Sequence, residues 1–74
     1  MTQRGDILKS KLRELRENKG WTQKELGGKV NVSRQAINAI ETGKFDPSIW
    51  LAYDLAKLFG VTIEELFDFE SERK

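Results

Sequence analysis

The sequence predicts an all-α fold of five short helices. Three observations lead to it. Apolar residues recur at helical spacing, beginning with Leu8, Leu12 and Leu15. Helix-start chemistry appears at four points, each a capping side chain set between two apolar residues. No stretch alternates apolar and polar residues for long enough to propose a sheet.

The first helix, over about 6–18, rests on the leucine stripe and closes at Asn18-Lys19-Gly20. The second, 23–30, opens on a capping box. Thr22 and Glu25 each satisfy an amide that the first turn leaves without a partner, and Trp21 and Leu26 clamp the entry as a hydrophobic staple. Inside it stand Gly27 and Gly28; we read Gly27 as permitting close helix packing and Gly28 as simple weakness. The third helix, 34–42, is capped by Ser33 and stapled by Val32 and Ile37. The fourth, 47–59, is expected to start at Asp46 followed by Pro47, with Phe45 and Trp50 as its staple. Ile49, Ala52, Leu55, Ala56 and Phe59 form its core-facing arc. Trp50 projects roughly 160° from the centre of that arc, with Tyr53 on the flank between. The fifth, 63–68, opens on a second capping box of Thr62 and Glu65, stapled by Val61 and Leu66.

Composition narrows the chemistry. The 74 residues read as a single domain, 1–74, with a core over about 6–69 and a short charged tail, 70–74. Cysteine and histidine are both absent, which removes disulfides and any thiolate or imidazole metal site. The same absence leaves no nucleophile or acid–base residue to nominate, so no enzyme activity and no cofactor are expected; Glu64 and Glu65 serve the helix dipole instead. No apolar run approaches the roughly 18 residues of a membrane span, and the start lacks a signal-peptide core. The expected location is the cytoplasm of a prokaryotic cell, for a host- or phage-encoded protein. Residues 1–44 carry ten Lys and Arg against five Asp and Glu, whereas residues 45–74 carry three against seven. A basic front and an acidic back suit a polyanion met by one face.

Only Asn31-Val32-Ser33 separates the second and third helices. Asn31 can adopt the left-handed conformation that ends a helix, Val32 turns inward, and Ser33 caps the third helix. So short a connection sets two helices at a steep angle, the helix-turn-helix arrangement. Ala36, Ile37 and Ile40 then face the core, and Arg34, Gln35 and Asn38 lie opposite. Arginine can bond O6 and N7 of guanine, and glutamine or asparagine can bond N6 and N7 of adenine. A polar face that merely keeps a helix soluble looks the same from three residues alone. The short turn and the basic front favour contact with DNA.

The stretches "TQKEL", "VSRQAINAIETGK" and "PSIWLAYDLAKLFGVTIEEL" resemble the phage-repressor and Cro-type helix-turn-helix family, the XRE family, over about residues 8–69. The resemblance implies a lambda-repressor-like domain whose third helix lies in the major groove of double-stranded DNA while the second crosses the backbone. It implies Arg34 and Gln35 as principal base readers, with Asn38 and Ala39 completing the set. Thr22, Gln23 and Ser33 on one side, and Thr42 and Lys44 on the other, would meet phosphates, Gln23 also bracing Gln35. Arg16 and Glu41 match a family ion pair between the first and third helices. This chain departs from the family at Thr42, where asparagine is common, at Asn31 in place of the turn glycine, and at Gly27-Gly28.

The expected function is a sequence-specific transcriptional regulator, a repressor acting as a dimer on a palindromic operator. A module this small covers only roughly 600–1,000 Å² of DNA, so useful selectivity asks for two copies. The length leaves no room for a small-molecule ligand domain. Trp50, Tyr53, Phe67 and Phe69 are candidates for the dimer or partner surface. Two readings compete: an antitoxin-type companion regulator that also binds a partner protein, and a protein-interaction module that kept the fold and lost DNA binding. Retention of Arg34, Gln35, Gln23 and Lys44 speaks against the second.

Overall fold

Among the described residues, five helices and one small sheet enclose the core. The computed structural model describes residues 9–68. In chain order these are β1 (Lys9–Ser10), α1 (Leu12–Asn18), α2 (Gln23–Val30), α3 (Arg34–Glu41), α4 (Ile49–Phe59), α5 (Ile63–Leu66) and β2 (Phe67–Asp68). Leu12, Leu26, Ile37, Ile40, Leu55 and Leu66 are fully buried, so every helix contributes to one core.

The capping chemistry explains most boundaries. Thr22 and Thr62 each accept a hydrogen bond from the N–H of Glu25 and Glu65 at 3.0 Å, and each glutamate accepts the threonine N–H at 2.8 Å. Ser33 accepts from the Ala36 N–H at 3.1 Å. Trp21, half-buried, packs its ring 5.6 Å from that of Phe59 and so joins α2 to the end of α4. Gly60 ends α4 in the left-handed region (φ 71°), where a side chain would be strained.

Four expectations need correction. First, α1 begins at Leu12 rather than near residue 6, because Lys9 and Ser10 pair antiparallel with Asp68 and Phe67. The Lys11 N–H continues the seam to the Leu66 carbonyl at 2.8 Å. Each strand has two residues, too few for alternation to be read. Leu8 lies outside the described residues. Second, α4 is capped by Ser48, which accepts from the Leu51 N–H at 3.1 Å, rather than by Asp46. That shift dissolves the Phe45–Trp50 staple, and both rings are exposed. Third, Ile49, expected on the core-facing arc, is the first residue of α4 and exposed; the buried positions of α4 are Ala52, Leu55 and Ala56. Fourth, α5 stops at Leu66, and Phe67, entering the sheet, is only 2% exposed. It is a core residue and offers nothing to a partner. Phe69 lies outside the described residues.

The two adjacent glycines occupy different environments. A Cβ on Gly27 would lie 2.5 Å from the Val32 carbonyl oxygen, whereas one on Gly28 would meet nothing within 4 Å. Gly28→Ala should therefore stabilise the domain by about 0.5–1 kcal/mol, since alanine loses less backbone entropy on entering a helix. Urea denaturation checks this; a lower midpoint would refute the open environment of Gly28.

Candidate nucleic-acid interface

Local geometry at the turn orders the exposed face of α3. Asn31 takes the left-handed conformation (φ 65°, ψ 42°), and the Val32 N–H bonds back to the Gly27 carbonyl at 2.9 Å. The chain thus folds tightly over the Gly27 backbone before Ser33 opens α3. Arg34, Gln35 and Asn38 emerge exposed, and Ala39 is half-buried behind them. Gln23, at the start of α2, joins Arg34, Gln35 and Asn38 around an open recess of about 230 Å³.

Those four side chains differ in what already holds them. The side chains of Arg34 and Gln35 make no hydrogen bond or ion pair among the described residues. Gln23 does not brace Gln35, as the resemblance implied: its amide nitrogen donates to Asn38 Oδ1 at 3.1 Å and to Glu41 Oε1 at 3.0 Å. Asn38 lies about one helical turn beyond Gln35, so both present the same side of α3 to Gln23.

Behind this face sits a buried charge pair. Arg16 Nε donates to Glu41 Oε2 at 2.6 Å and Nη2 to Oε1 at 3.2 Å, while Nη1 donates to the Trp21 carbonyl at 2.8 Å. The side chains are 11% and 3% exposed. The hydrogen bond to Glu41 raises the Arg16 pKa above its ordinary value against the opposing effect of burial, so the guanidinium stays charged. Arg16 thereby fastens α1 to both α3 and the entry of α2.

Among the candidate phosphate contacts, the hydroxyls fall into two kinds. Those of Thr22 and Ser33 accept cap bonds and keep their own hydrogen to donate. The Thr42 hydroxyl donates into its own helix, to the carbonyls of Asn38 at 3.0 Å and Ala39 at 3.3 Å, and its proton is occupied. Lys44 comes next, exposed, its backbone N–H tied to the Ala39 carbonyl at 2.9 Å. Elsewhere, Trp50 is 73% exposed and Tyr53 lies under the Lys57 ammonium at 5.7 Å. Sequence reading missed the open groove between α4 and α5 that Tyr53 lines with Ile49, Lys57, Val61 and Glu64, because it depends on how the two helices dock.

The capped α2–turn–α3 unit and its supporting helices coincide with a known pattern: the helix-turn-helix family model matches residues 12–66. The chain belongs to the helix-turn-helix family. An HTH-type transcriptional regulator of Methanocaldococcus jannaschii is 49% identical over 65 residues, covering 88% of this chain and 98% of that protein. The HTH-type transcriptional regulator YgzD of Bacillus subtilis is 42% identical, with the same coverage of both chains. Among solved structures, the restriction-modification controller protein C.AhdI of Aeromonas hydrophila superposes with a TM-score of 0.68 at 32% identity, covering 77% of this chain and 83% of that one. This helix-turn-helix protein is a DNA-binding transcriptional regulator, built as the mostly helical domain of its family. Among its described residues no helix is long and apolar enough to cross a membrane.

Proposed function

We propose that the protein is a repressor that occupies a palindromic operator as a dimer and reads it with the exposed face of α3. The carrying observation is the recess at the start of α3, where the Arg34 and Gln35 side chains stand without partners among the described residues. Buried groups need such donors and acceptors satisfied; exposed, unpaired ones are available to base edges. In this reading Arg34 and Gln35 are the principal readers, Asn38 contributes beside them, and Ala39 offers an apolar contact. Thr22, Ser33 and Lys44 meet phosphates, and Gln23 does so through its backbone N–H at the start of α2, since its amide hydrogens are engaged with Asn38 and Glu41. Thr42 contributes less, because its hydroxyl proton is already bonded.

The dimer would use the groove between α4 and α5. Lys57 and Glu64 both line it, so a two-fold axis sets the lysine of one copy against the glutamate of the other, with Tyr53 and Ile49 in between. Trp50 extends the same helix and enlarges the apolar area. The Phe67 contribution expected from sequence is withdrawn, since that ring is in the core.

Selection of preferred sites from a random duplex pool tests this. The expected product is an inverted repeat with half-sites about one helical turn apart. On that site Arg34→Ala or Gln35→Ala should each cost about 1–3 kcal/mol and relax one base choice. Lys44→Ala should weaken selected and random duplex alike and reduce the log–log salt slope by ~0.9. Equal losses on all sequences for all three variants would end the division into readers and phosphate contacts, and a single unrepeated half-site would end the dimer.

A further inference from the structure

We infer that Gln23 is a positioning residue that turns the Asn38 amide into a donor, so that Asn38 selects a keto base, guanine or thymine, and rejects adenine and cytosine. The inference rests on the base-reading role proposed for α3.

Each link depends on what the groups can donate and accept. Arg16 is a permanent donor, and its fork engages both oxygens of Glu41, so each of them accepts there. The Gln23 amide atom 3.0 Å from Glu41 Oε1 must therefore be its nitrogen; an oxygen there would face another oxygen with no proton between them. The same nitrogen lies 3.1 Å from the Asn38 amide, and an NH₂ group that can only donate requires oxygen opposite it. Asn38 Oδ1 is thus drawn inward to Gln23, and Nδ2 with its two hydrogens becomes the outward end. The chain from Arg16 through Glu41 and Gln23 to Asn38 fixes a choice that an isolated asparagine makes freely.

The consequence lies in the major groove. Pairing of asparagine with adenine needs its oxygen to accept from N6 while its nitrogen donates to N7. Here the oxygen is engaged with Gln23. What remains is a donor, which suits the paired acceptors O6 and N7 of guanine or O4 of thymine; adenine offers it N7 alone beside an opposing amino hydrogen, and cytosine offers only an amino hydrogen. Asn38 also stands exposed beside Arg34 and Gln35 around the recess, where a base edge would be met.

The test compares sites selected from a random duplex pool by four full-length proteins. Asn38→Ala locates the position, as the one where preference is lost. At that position the unmodified protein should favour guanine or thymine over adenine or cytosine by about tenfold. Gln23→Ala should leave the rest of the motif intact while bringing this one position within about twofold of indifference. A role for Gln23 limited to phosphate contact or folding would lower affinity without moving that ratio. Asn38→Asp can still accept from Gln23 but turns an acceptor outward, so its preference should move to adenine or cytosine. Adenine or cytosine selected by the unmodified protein, no position affected by Asn38→Ala, or a preference untouched by Gln23→Ala would each overturn the inference. A failure of the unmodified protein to select any motif would overturn the base-reading proposal beneath it.

Discussion

Glu41→Ala is expected to remove about 3–5 kcal/mol of stability, because it leaves a buried guanidinium with only the exposed Glu17 carboxylate, 3.9 Å away, as counter-charge. A single core of this size holds roughly 3–5 kcal/mol in all. The variant should therefore populate the unfolded state heavily under conditions where the parent is folded, which far-ultraviolet circular dichroism through a urea titration would show. The cost is a penalty for breaking the pair, and only loosely a measure of what the pair contributes. Replacing both partners, as in Arg16→Met with Glu41→Leu, should recover most of the loss. Recovery stays incomplete, since the Trp21 carbonyl then loses the Arg16 Nη1 donor as well. A loss below about 1 kcal/mol in the single variant, the range of exposed ion pairs, would refute the burial on which this rests.

Gly27→Ala carries the second large effect, and it opposes the change next door. Alanine gains about 1 kcal/mol over glycine in helix propensity at either position. At Gly27 its methyl would sit 2.5 Å from the Val32 carbonyl oxygen and 3.3 Å from the Ser33 carbonyl carbon and oxygen. These are backbone atoms of the turn, so relief requires moving α3 relative to α2. Overpacking of this kind typically costs about 1–3 kcal/mol, which outweighs the propensity gain. The displaced turn carries the exposed face with it, so binding to the selected duplex should weaken by more than the unfolded fraction explains. Calorimetric melting alongside binding at a temperature where the variant is still folded would measure both. A rise in melting temperature would mean that the turn yields freely and that the close approach is incidental.

What sequence reading resolved, and what it missed, divide by distance along the chain. Caps at Thr22, Ser33 and Thr62 were legible because donor and acceptor lie within three residues and no other part of the fold has a say. At the fourth start the chain offers Asp46 and Ser48, two competent caps two residues apart. The structure uses the second, and the Phe45–Trp50 staple expected from the first goes with it; the inward placing of Ile49 failed separately, because the first residue of α4 lies beyond the buried positions Ala52, Leu55 and Ala56. The sheet was illegible, since two-residue strands pair across nearly the whole described segment. With the sheet went the burial of Phe67. At the interface, the exposure of Arg34 and Gln35 came directly from helical periodicity, whereas the partner of Gln23 did not. Gln35 and Asn38 present the same side of α3, and only side-chain geometry decides that Gln23 bonds the latter.

The bonded chain from Arg16 to Asn38 also divides the recognition helix by how freely its positions can change over generations. The Arg34 and Gln35 side chains bond to nothing else among the described residues, so a lineage acquiring a new operator could vary them one at a time without touching the fold. Asn38 is different, since a new residue there must also answer to Gln23. Glu41 has least freedom, because a change there disturbs stability and, under the role proposed for Asn38, base choice in one step. Retargeting of this domain would begin in the first turn of α3, and divergence at the Asn38 position would come with compensating change at the start of α2.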